Sequence, residues 1–90
     1  MNITQIIKHF VEGFHKNIQT SNKTFTYIPP NLFSYAEKLA YLENDVVYIL
    51  PVTAKYGNFF SMTTSTHFGR VKNFCEENNI NYEIIGNSNN

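Results

Sequence analysis

Ile3, Ile6, Ile7, Phe10, Val11 and Phe14 recur at the spacing of one buried helical face, which predicts a helix from Asn2 to about Lys16. Gln5, Lys8, His9, Glu12 and Lys16 fall on the other side, and Lys8 and Glu12 are placed to pair weakly one turn apart. Asn2 is a suitable cap. Gly13 costs such a helix about 1 kcal/mol relative to alanine, so it points to a close approach by another element.

The period then shortens. After a polar connection from Asn17 to Lys23, Thr24 to Ile28 alternates β-branched and aromatic residues as a short strand does. Pro29 and Pro30 remove two amide donors, which makes the stretch to Phe33 a linker or an edge, not a central strand. Leu39–Leu42 and Val46–Leu50 flank Glu43, Asn44 and Asp45, residues that favour turns, and so predict a β-hairpin. Its second strand is apolar on both faces, as a covered central strand would be. Pro51 closes it, Lys55–Asn58 supplies a turn, and Phe59 to Met62 reads as a further strand.

At Thr63-Thr64-Ser65-Thr66 the period lengthens again, with Phe68, Val71, Phe74 and Cys75 sharing a face. Hydroxyl residues before such a pattern signal a helix start, because their oxygens accept the unpaired amide protons of a first turn. The helix should end near Asn78–Asn79, and Asn81 to Ile85 forms a last strand before a polar tail, residues 86–90. The predicted order is α-β-β-β-β-α-β. It describes a single α+β domain over residues 1–85, with an antiparallel or mixed sheet of four or five strands and both helices on one face.

Composition narrows this picture. A chain of 90 residues supports one core, and with aromatics at 16% Phe and Tyr supply much of its burial. Seven basic and seven acidic residues give a formal charge of zero, without the basic excess of a dedicated nucleic-acid binder. The single Cys75 has neither a disulfide partner nor metal-ligand spacing around it, and no apolar run is long enough to span a bilayer. A reducing, cytosolic setting is therefore expected. Abundant Asn, no Trp and more Ile than Val suggest an AT-rich bacterial or phage gene.

The strongest local cluster is Thr64, Ser65, His67 and Arg70, with Lys72 just beyond. Gathered at a helix start, such groups could hold a phosphate or carboxylate. They equally fit a capped helix whose His67 and Arg70 are solvated. No glycine-rich loop precedes it. His9 and His15 lie roughly opposite one another on a helix and cannot chelate together, so no metal site and no cofactor is expected. Cys75, beside Phe74 on the apolar side, behaves as a small hydrophobe rather than a nucleophile. No carboxylate pair is evident, so nothing assembles a catalytic constellation. Tyr27, Phe33, Tyr35, Tyr41, Tyr48, Tyr56 and Tyr82 exceed what a small core hides, and ring-bearing surfaces of this kind suit protein interfaces.

Ser34-Tyr35, then Leu39-Ala40, the hairpin, and Phe60-Ser61-Met62-Thr63-Thr64-Ser65-Thr66-His67 together resemble a pattern in small phage and mobile-element proteins. The resemblance covers residues 34–74. It implies an accessory protein that binds and blocks a host component, as anti-defence and anti-CRISPR proteins do. The leading expectation is thus a non-enzymatic inhibitor of a host defence or nucleic-acid-processing complex, whether a protein or a ribonucleoprotein. A nucleic-acid binder using the mildly basic first helix and His67, Arg70 and Lys72 is the second. A small enzyme or anion-binding domain at Ser65 is the third. A homodimer through an edge strand at Thr24–Ile28 also fits.

Overall fold

The structure, a computed structural model, describes residues 1–50 and 62–85. The elements are α1 (Ile3–Val11), β1 (Ile18–Gln19), β2 (Phe25–Ile28), β3 (Asn31–Ser34), β4 (Glu37–Glu43), β5 (Val46–Ile49), α2 (Met62–Glu77) and β6 (Tyr82–Ile84). The class is α+β, as expected. The sheet has six strands in sequential order rather than four or five. It is mixed, since all neighbours are antiparallel except β5 and β6, which α2 links as a parallel pair.

α1 begins with a capping box in which Asn2 and Gln5 satisfy each other's backbone amides. It stops at Val11, five residues short of the expected Lys16. Gly13, at φ +74°, ends it. The Phe14 amide reaches back to the His9 carbonyl and the Gly13 amide to that of Phe10, while the Phe14 ring packs edge-on against His9. This is a Schellman stop with its apolar clasp. Gly13 is thus required by backbone conformation and not by crowding, because a β-carbon there would come no closer than 3.9 Å to Leu42. Phe14 keeps the helical apolar period only because it folds back over the helix end. α2 closes in the same way, with Asn79 at φ +56° and the Ile80 amide on the Cys75 carbonyl.

Two strands lie where none was expected. β1 occupies part of the polar connection and pairs outside β2, so Thr24–Ile28 is not the sheet edge that a strand-paired homodimer would need. β3 follows Pro29 and Pro30 at once and sits inside the sheet. The two prolines form the loop between Ile28 and Asn31, where the ladder asks for no amide donor, so they end one strand without preventing the next. The β4–β5 hairpin is confirmed. Asn44 and Asp45, both at positive φ, make its two-residue loop, the conformation these side chains tolerate and hairpins favour. The predicted strand Phe59–Met62 and the turn before it lie outside the described residues, except for Met62, which opens α2.

Register places every buried strand residue on one face. Phe25 and Tyr27 of β2 stand opposite Ser34 and Leu32, Leu32 opposite Ala40, and Ala40 opposite Ile49. A bulge at Leu32/Phe33 admits Leu39 as an extra residue, so adjacent Leu39 and Ala40 are both buried. α1 covers this face with Ile6, Ile7 and Phe10, and α2 with Val71 and Cys75. Phe10 meets Tyr27 edge-on at 5.8 Å. Tyr27 also donates its hydroxyl to the Phe14 carbonyl, tying the end of α1 to the sheet.

Candidate functional site

Two groups of sequence-predicted residues have distinct fates. The first is the cluster at the start of α2. Thr63 to Thr66 do not precede the helix but form its first turns, so Thr64 and Ser65 are not its caps. Thr64 and His67 point into the core, with exposures of 1% and 2%. Their partner is Ser34 of β3, which is fully buried. Its Oγ lies 2.7 Å from His67 Nδ1 and 3.1 Å from Thr64 Oγ1. The Phe25 ring packs on the imidazole at 4.7 Å. Burial, aided by the Arg70 guanidinium, holds the imidazole below its ordinary titration range, so at neutral pH it is uncharged.

The expected anion site is therefore not assembled. His67 is buried rather than solvated. Ser65 is half-buried. Arg70 turns toward α1 and donates to Thr4 Oγ1 at 2.6 Å, and Lys72 pairs along the helix with Glu76 at 3.4 Å. Ser34 beside His67 has the outline of a nucleophile and its base. Yet both are buried, and among the described residues no carboxylate bonds the imidazole to orient it as a base. Sequence reasoning did not assign Ser34 a contact. Its only signal was its place in the Ser34-Tyr35…Thr64…His67 pattern, whose two ends meet here across the core.

Cys75 is buried as expected, and burial with the neighbouring Glu76 carboxylate pushes its thiol up to about 11, which leaves it protonated and inert. Among the described residues no group of His, Cys, Asp or Glu could hold a metal ion. No described helix is long and apolar enough to cross a membrane.

The second group is the tyrosines. Tyr27 is a correction, being 1% exposed and part of the core. Tyr82 lies on the helix-covered face, half-buried, and donates its hydroxyl to Glu76 at 2.6 Å. Tyr56 lies outside the described residues. Phe33, Tyr41 and Tyr48 gather at the opposite face of the sheet, on which no described element packs. Ile28, Asn31, Tyr41, Tyr48 and Glu83 form one row across it, and Gln19, Thr26, Phe33 and Lys38 the row beside it. Tyr41 and Tyr48 stack at 5.1 Å with nearly parallel rings, and the Lys38 ammonium sits 4.9 Å over Tyr41. Phe33, Tyr41 and Tyr48 are partly exposed and Ile28 is 43% exposed. The charged residues of the face are Lys38 against Glu43 and Glu83. Tyr35, 49% exposed, stands on the β3–β4 turn at φ +56°, a left-handed conformation that a bulky residue seldom adopts.

No protein-family model, curated protein or solved structure matches this chain.

Proposed function

We propose that this chain is a non-enzymatic interaction module that docks a partner protein on the open face of its sheet. The observation that carries this is the contiguity of Ile28, Phe33, Tyr41 and Tyr48 on one face, where scattered rings would have meant little. Stacked tyrosines present rigid, amphipathic area at small entropic cost, as interface anchors do. The slight acidic excess of Glu43 and Glu83 over Lys38 fits a partner surface that offers apolar and basic side chains, a guanidinium on a tyrosine face being a favourable contact. The exposed Tyr35 adds support, since a left-handed backbone costs a non-glycine residue about 1–2 kcal/mol and such strain gathers at functional positions.

Given the resemblance to phage and mobile-element proteins, the partner is a host complex of defence or nucleic-acid processing, and docking restrains it. Direct nucleic-acid binding gains nothing from the geometry, because His67 is buried, Lys72 is paired and α1 ends before Lys16. The test compares the wild-type chain with a Tyr41→Ala/Tyr48→Ala variant, both confirmed as folded, as baits in bacterial lysate. The expected result is a host protein retained by the first and lost by the second, whose purified activity falls when the wild-type chain is added. Identical captures from both baits would overturn the proposal.

A further inference from the structure

A second surface has a different chemistry. Between the first turn of α1, the β1–β2 turn and Arg70 of α2 lies an open groove of about 650 Å³, within the roughly 300–1,000 Å³ typical of small-molecule sites. Asn2, Gln5, Asn22 and Arg70 line it together with the hydroxyl residues Thr20, Ser21 and Thr24. The carboxamides spend their oxygens on the fold. Asn2 Oδ1 accepts the Gln5 amide at 2.8 Å and Gln5 Oε1 the Asn2 amide at 2.9 Å. Asn22 Oδ1 collects the Thr20 hydroxyl at 2.8 Å, the Thr24 hydroxyl at 3.0 Å and the Thr24 amide at 3.3 Å.

Each of these oxygens receives a backbone N–H, which can only donate, so the orientation of all three side-chain amides is fixed. Among the described residues their NH₂ groups have no protein partner. Arg70 spends one bond on Thr4, and its guanidinium forms no ion pair among the described residues. No Asp or Glu appears among the described lining residues. The groove is therefore lined by three carboxamides from two segments whose oxygens are already committed, and by one guanidinium from a third.

We infer that this groove binds a small organic phosphate, with the phosphate on Arg70 and the hydroxyl or base acceptors of the ligand on Asn2, Gln5 and Asn22. A guanidinium matches phosphate oxygens through paired, charge-assisted bonds. The volume exceeds what phosphate alone fills, and the remaining donors call for an acceptor-rich body such as a pentose or nucleoside. This inference does not depend on the sheet face.

The experiment is a nitrogen-15 NMR titration of the full chain with inorganic phosphate, ribose 5-phosphate and adenosine 5′-monophosphate. It reads the side-chain NH₂ signals of Asn2, Gln5 and Asn22 and the Arg70 Nε–H. Saturable shifts at these four groups, with an organic phosphate binding more tightly than inorganic phosphate, are expected. Arg70→Gln should weaken binding by about tenfold or more, the loss of one charge-assisted anchor. Asn22→Asp keeps the oxygen that Thr20 and Thr24 need but replaces the donor with a negative charge, and should abolish it. Tyr48→Ala should leave it unchanged, which separates this site from the sheet face. The inference is overturned by an absence of shifts at about 20 mM ligand, by equal responses to all three compounds, or by affinity that survives both groove substitutions.

Discussion

Ser34, Thr64 and His67 form a polar knot inside an apolar core, and what it contributes depends on every member being paired. A buried polar atom that loses its partner costs about 1–3 kcal/mol, whereas removing both partners together costs much less. Ser34→Ala strands His67 Nδ1 and is expected to destabilise by about that amount in urea unfolding. Adding His67→Leu should recover part of the loss, so the double variant falls short of the sum of its single variants, as coupled neighbours do. The same residue sets a pH response. His67 is held below its ordinary value of 6.5, so the unfolded chain takes up the proton first. The stability this provides is complete above about pH 6.5 and is lost as pH falls from there through the lowered value of the folded state. Unfolding midpoints measured across mildly acid pH should drop for the wild-type chain and drop less for His67→Leu. Beyond the pattern that Ser34, Thr64 and His67 share, none of this was legible in the sequence, because a polar side chain on an otherwise apolar helix face says nothing of its partner when that partner is 33 residues away.

Elements were read well where a local pattern decided them and poorly where a neighbour did. The apolar period of α1, the Asn44–Asp45 loop and the Asn79 stop of α2 are all local, and each was visible. β1 and β3 owe their existence to strands on either side, and their own residues do not alternate strongly enough to announce them. Gly13 was visible but misread, since its cost to a continuing helix concealed its role in ending one. That role is testable. Gly13→Ala leaves the β-carbon in open contact distance of Leu42 but forces a left-handed residue at the helix stop, so it should destabilise by about 1–2 kcal/mol. Gly13→Asn should recover part of this, because asparagine tolerates the conformation. Thermal or denaturant unfolding of the two variants checks the order, and equal losses would place the cost in packing instead.

At the scale of the molecule, the decisive asymmetry is that α1 and α2 cover the same face of the sheet and leave ring-bearing side chains on the other. Alternation marked the apolar side of β2, but β5 is apolar on both faces in sequence and only its Val47 and Ile49 are buried, so which rings stayed outside depended on register. The Leu39 bulge alone shifts the parity of β4. The charge on that open face decides what kind of partner it suits, and salt is the means of asking. Lys38, Glu43 and Glu83 leave the face close to neutral, so association driven by Phe33, Tyr41 and Tyr48 releases few counterions. A protein partner should bind with affinity that changes less than about tenfold between 50 and 200 mM salt, whereas a surface neutralising 6–10 phosphates loses roughly 10³–10⁵ over that range. Titration calorimetry at the two salt concentrations with the captured partner measures the difference directly. A steep loss would mean that phosphates are being contacted and would move the interaction from the aromatic face to a nucleic-acid surface. A shallow dependence, together with a heat-capacity decrease on binding that Tyr41→Ala/Tyr48→Ala removes, would tie the affinity to apolar area buried on the sheet.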